Sequence, residues 1–166
     1  IELLANLPQP VVCAVHGHCY TGALELALAG DLIVAAESAK FADTHARWAL
    51  VPVWGMSQRL PRRVGLARAQ EMTYTARTFS GREAEAMGLV NWCVPDAGFD
   101  AAVAGTARSI LANSWYSLRA NKRLYRETDG LPLRAGLSHE IHRSEGRGPD
   151  MDARIAAFMN KTSKLA

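Results

Sequence analysis

The segment PVVCAVHGHCYTGALELALAGDLIVAAE, residues 10–37, constrains the fold more tightly than any other part of the chain. PVVCAV (10–15) is a β-branched apolar run bounded by Pro10 and Gly17, which predicts a buried strand. GALELALA (22–29) predicts a short helix closed by Gly30 in a left-handed cap. DLIVAAE (31–37) predicts a second strand and AKFAD (39–43) a short third. Strand, turn, helix and strand therefore follow one another with almost no linker. A helix that crosses between strands so closely spaced implies a parallel or stacked sheet.

From Gly55 onward the pattern becomes helical: WGMSQRLPRRVG, LARAQEMTYTA, then SGREAEAMG. The last carries Ser80 as N-cap, Glu83 at the capping-box position and Gly88 as C-cap. LVNWCVP (89–95) predicts one more short strand, and residues 100–165 predict three or four helices broken near Ser114, at DGLP and at GRGPD. The opening IELLANLPQP predicts an amphipathic helix ending before Pro8; with no initial Met, it suggests a processed or truncated product.

The chain has 166 residues, 49% hydrophobic and 21% charged, enough for a globular core. Its net charge of +3 arises from interspersed acids and bases, which does not make the concentrated basic face that nucleic-acid binding needs. No apolar run is long enough to span a bilayer and no segment has signal-peptide order, so the expectation is a cytoplasmic protein without membrane or nucleic-acid partners. Cys13, Cys19 and Cys93 show no CxxC spacing and read as buried free thiols.

Against this background Glu25 stands out. Its helical neighbours are Thr21, Gly22, Leu28 and Ala29, so no polar face exists to carry the carboxylate into water. The alternative is an exposed position on a short surface helix, but the flanking apolar strands favour burial. A buried carboxylate suits proton transfer near neutral pH. Helical side chains lean toward the N-terminus, which directs Glu25 over the first turn, where the Gly22 and Ala23 amides are unpaired. A base beside helix-terminal N–H donors suits chemistry α and β to a carbonyl, where an oxyanion is stabilised while a proton moves. His16 and His18 have strand spacing that places both rings on one face, but no third metal ligand accompanies them, so no metal site is expected. Arg59, Arg62 and Arg63, and RANKRLYRE (119–127), read as solvated helix surface, with the three arginines also candidates for a phosphate or a neighbouring subunit.

The stretches QPVVCAVHGHCYTGALELALAGDLIVAAESAKFA, VPVWGMSQRLPRRVG and FSGREAEAMGLVNWCVP together resemble the crotonase, or enoyl-CoA hydratase/isomerase, superfamily. The resemblance covers residues 9–95 and is weaker beyond. It implies an α/β fold: the C-terminal part of a ββα superhelix over residues 1–98, then a helical trimerisation region over 99–166. Members usually carry roughly a hundred further residues ahead of this point, a size that fits ordinary domain lengths. The resemblance makes Gly22 the oxyanion donor and Glu25 the first hydratase glutamate. The second glutamate position is occupied by His45, and the glycine that usually follows the loop proline is Val53.

An acyl-CoA hydration, or another crotonase-type reaction on an acyl-CoA thioester (hydrolysis, decarboxylation or isomerisation), is the implied activity. Loss of the second acid makes double-bond isomerisation the weaker expectation. A catalytically silent acyl-CoA binder, an assembly subunit or a truncated fragment stays open, favoured by His45 and Val53. His45 itself reads either as a second proton-transfer group or as a surface-loop residue bonded to Asp43. Tyr20, Trp48 and Trp54 read either as acyl-pocket residues or as core aromatics beside apolar runs, and Lys161 matches the lysine that reaches a neighbouring subunit's CoA phosphates. The expected assembly is a homotrimer or hexamer, with no cofactor beyond the coenzyme A of the substrate.

Overall fold

A computed structural model describes the backbone of residues 1–162 and the side chains of residues 1–160. The chain forms two compact units, Ile1–Arg108 and Ser109–Ala166. The first contains α1 (Glu2–Ala5), β1 (Val12–Val15), β2 (His18–Tyr20), α2 (Gly22–Leu28), β3 (Leu32–Ala36) and β4 (Lys40–Ala42). A 3-10 turn at His45–Trp48 then leads to α3 (Met56–Val64), α4 (Leu66–Thr75), β5 (Phe79–Ser80), α5 (Gly81–Ala86) and β6 (Trp92–Val94). α6 (Phe99–Leu111) runs on into the second unit, which holds α7 (Trp115–Thr128), α8 (Leu133–Arg143) and α9 (Met151–Thr162).

The strands divide between two three-stranded sheets. One has the order β1-β3-β6, all parallel, with Val12 opposite Leu32 and Val34 opposite Trp92. The other has the order β2-β4-β5, with β2 and β4 parallel and β5 antiparallel. Each successive strand pair thus places one strand in either sheet, and α2 carries the chain back to repeat the step. The corner between β1 and β2 falls on Gly17 at φ +68°, a left-handed conformation that costs glycine little. This corner also breaks the strand spacing of His16 and His18: the first ring packs on Phe99 and the second on Tyr20.

Leu24, Ile33, Phe41, Met56, Leu60, Met72 and Phe79 fill the core of the first unit. Gly30 does not adopt the expected left-handed cap: α2 ends on Ala29 in right-handed geometry. A Cβ at Gly30 would lie 2.5 Å from Cys13 Sγ, so close packing of the helix end on β1 is what requires glycine. Arg63, expected on the surface, is instead a clamp. It donates to the carbonyls of Leu89 and Asp31 and to Asn91 Oδ1, while Asn91 Oδ1 also accepts from the Ile33 amide. Lys122 on α7 is likewise buried, against the expectation of a solvated face. Among the described residues no helix is long and apolar enough to cross a membrane.

The capping box of α5 forms as expected: the Glu83 amide donates to Ser80 Oγ and the Ser80 amide donates to Glu83 Oε2. These hydrogen bonds, the backbone amide first and the Arg77 guanidinium next, hold the Glu83 carboxyl down to about 2. A carboxylate depressed in the folded state stabilises above its ordinary value near 4.5 and loses that contribution as pH falls toward 2. Glu83→Gln is therefore expected to lower Tm at neutral pH, with the difference from the parent shrinking through pH 4 to 2. A difference that stayed constant over that range in thermal scans would contradict the assignment.

Candidate active site

Thr21 and Thr44 tie the start of α2 to the end of β4. The Thr21 amide donates to the Ala42 carbonyl, the two threonine hydroxyls hydrogen-bond, and the Thr44 amide donates to Thr21 Oγ1. Thr21 accepts φ +51° to do this, a strained conformation for a β-branched residue and of the kind that functional sites retain. The pinning brings His45, which begins the following 3-10 turn, against Glu25 in the first turn of α2.

Glu25 is 2% exposed, so the surface-helix alternative fails. Its partners differ from those expected. Glu25 Oε1 accepts hydrogen bonds from the amides of Trp54 (2.9 Å) and Met56 (3.1 Å). Met56 opens α3, so the carboxylate sits at that helix's N-terminus, where free N–H groups and the helix dipole favour an anion. Gly55, between the two donors, has φ +109°, which turns the loop so that both amides face the same oxygen. These donors explain how a carboxylate is tolerated among apolar neighbours.

The other oxygen, Glu25 Oε2, lies 3.8 Å from His45 Nε2. His45 is 6% exposed; the expected hydrogen bond to Asp43 is present, but the residue is not at the surface. His45 Nδ1 is 2.6 Å from Asp43 Oδ1, which also accepts from the His45 amide at 3.2 Å. Asp43 is fully buried, and its second oxygen accepts from the Thr73 hydroxyl of α4 at 2.8 Å. Thr73 carried no signal in the sequence, because its hydrogen bond to Asp43 is a contact made across packed elements.

Gly22 is the first residue of α2, and the Trp54 indole lies over it: a Cβ there would meet Trp54 Cζ3 at 3.1 Å. Trp54 thus touches both parts of the site, through its amide to Glu25 and its ring to Gly22. Trp48 is 67% exposed, and the ring contact made by Tyr20 is with His18. Lys161 lies in α9, and its side chain falls outside the described residues. A surface cavity of about 430 Å³ lined by Arg68, Arg77, Phe79, Glu83, Ala86 and Met87 shares no residue with this site. Its arginines are paired with Glu71 and Glu83.

The chain matches the family model for enoyl-CoA hydratase/isomerase over residues 1–161. It is 37% identical over 145 residues to a mitochondrial methylglutaconyl-CoA hydratase from Rattus norvegicus, covering 84% of this chain and 46% of the relative. It is 32% identical over 165 residues to 1,2-epoxyphenylacetyl-CoA isomerase from Escherichia coli, covering 98% and 63%. An enoyl-CoA hydratase crystal structure from Bacillus anthracis superposes with a TM-score of 0.92 at 36% identity, covering 96% of this chain and 63% of that one. The chain belongs to the enoyl-CoA hydratase/isomerase family and has the crotonase fold. It spans about half to two thirds of the length of these relatives.

Proposed function

We propose that the protein hydrates a 2-enoyl-CoA thioester. The observation that carries this reading is the convergence of Glu25 Oε2 and His45 Nε2. Their 3.8 Å separation is too long for a hydrogen bond, yet one water oxygen can lie about 2.8 Å from both. Gly22 N–H polarises the thioester oxygen, in the role that the family resemblance implies. Glu25 takes a proton as the water oxygen bonds to Cβ, and the imidazolium of His45 delivers a proton from Nε2 to Cα. The next water to enter the gap relays the proton from Glu25 to Nε2, and the net product is the 3-hydroxyacyl-CoA.

This chemistry needs proton transfer and an oxyanion site, which side chains and backbone supply, so coenzyme A enters only as part of the substrate. The relatives named for CoA thioesters support that substrate class. Tyr20 and Trp54 would bound the acyl group, Lys161 would reach CoA phosphates, and the helical region after residue 98 would build a homotrimer or hexamer. Three free cysteines fit a reducing compartment such as the cytoplasm.

The test is incubation with crotonyl-CoA in ¹⁸O-labelled water, followed by mass spectrometry of the thioester. A labelled 3-hydroxybutyryl-CoA supports hydration. Free CoA would mean hydrolysis, and a moved double bond at unchanged mass would mean isomerisation. Tight binding without any product would replace the enzyme reading with that of an acyl-CoA binder.

A further inference from the structure

We propose that Asp43 and Thr73 are positioning residues that hold His45 as the Nδ1–H tautomer, so that protons enter and leave this imidazole only at Nε2, toward Glu25. The inference rests on the reading of Glu25 and His45 as the working pair and adds a direction to it. A carboxylate accepts hydrogen bonds and donates none. Asp43 Oδ1 lies 2.6 Å from His45 Nδ1, so this nitrogen carries the hydrogen whether the ring is neutral or charged. The carboxylate cannot swing away. Oδ1 also accepts from the His45 amide, Oδ2 accepts from Thr73 thirty positions along the chain on α4, and Asp43 is wholly buried.

The ionisable groups facing the ring are Asp43 from the end of β4 and Glu25 from α2; Thr73 is neutral and acts through Asp43. Two consequences follow. Neutral His45 presents a lone pair at Nε2 and can only accept there. Imidazolium His45 presents an N–H at the same point and can donate. The ring therefore works as a one-position proton carrier, and its orientation depends on a carboxylate bonded to the other ring nitrogen. A carboxylate that accepts from the far ring nitrogen is how histidine tautomers are commonly set.

The test is a long-range ¹H–¹⁵N correlation spectrum of the histidine-labelled protein, with the His45 signals distinguished from those of the other histidines by their loss in His45→Gln. At the high-pH limit the parent should show a protonated Nδ1 and an unprotonated Nε2. Asp43→Asn should retain this pattern, because the amide oxygen still accepts from Nδ1. Asp43→Ala should populate the Nε2–H form and lower kcat for crotonyl-CoA hydration roughly ten- to hundred-fold, with KM changed less than about twofold. Thr73→Val should have the same effect in kind, a few-fold in size. An Nε2–H tautomer or an even mixture in the parent would overturn the proposal, and that spectrum requires no variant to fold. Retention of the tautomer in a correctly folded Asp43→Ala protein would do so too. If the tautomer result holds and no substrate is hydrated, the hydratase reading fails and this one stands.

Discussion

Glu25→Gln is expected to lower kcat for crotonyl-CoA hydration by roughly a hundred- to ten-thousand-fold, the range for removal of a positioned proton-transfer group. The substitution is close to isosteric. The glutamine carbonyl can still accept from the Trp54 and Met56 amides, so the loop that covers Gly22 keeps its anchor and the fold keeps its stability. What is lost is the second oxygen, 3.8 Å from His45 Nε2, which becomes an amide nitrogen unable to take a proton from water. Acyl-CoA affinity should be little changed, placing the loss in kcat. Equal turnover by parent and variant, measured as loss of the conjugated thioester, would remove Glu25 from the chemistry.

Phe41→Ala is expected to destabilise the first unit by roughly 3–5 kcal/mol, the cost of deleting a buried aromatic from a core that cannot close over the gap. Phe41 has no exposed surface and sits on the central strand of its sheet, opposite Cys19 on one side and Phe79 on the other. Collapse into the cavity would have to move two hydrogen-bonded neighbours. β4 also leads directly into Asp43 and His45, so the site should loosen along with the core. Urea unfolding should show a lower midpoint at an unchanged slope. A shift worth less than about 1 kcal/mol would mean that the core relaxes around the vacancy, contrary to its close packing.

The parts of the site differ in how far the sequence exposes them. Glu25 is legible because one charge interrupts an apolar helix, and the physical cost of burying it announces a partner. The partner itself is not legible. It consists of two backbone amides 29 and 31 positions away, and amides are the same at every residue except proline. The Asp43–His45 contact is local and could be read from DTHAR, but the burial that turns it from a loop detail into part of the site comes from α2 and α4. Arg63 shows the reverse error: three arginines close together read as surface, yet the third reaches under the loop before β6 to hold backbone carbonyls.

By itself, then, the sequence determined the helices and the strands β1, β3, β4 and β6 in their order, the capping box of α5, the burial of Glu25 and the family resemblance, while β2 and β5, two or three residues long, escaped it. Periodicity, caps and the cost of a stranded charge are local quantities, and a linear chain displays them. Only the tertiary structure decided that Glu25 faces His45, that Asp43 and Thr73 orient the imidazole, and that Gly30 and Gly55 serve packing and loop direction. Each of those depends on where separate elements meet, and that meeting is set by the pinning of α2 to β4 at Thr21 and Thr44, which no single stretch of sequence contains.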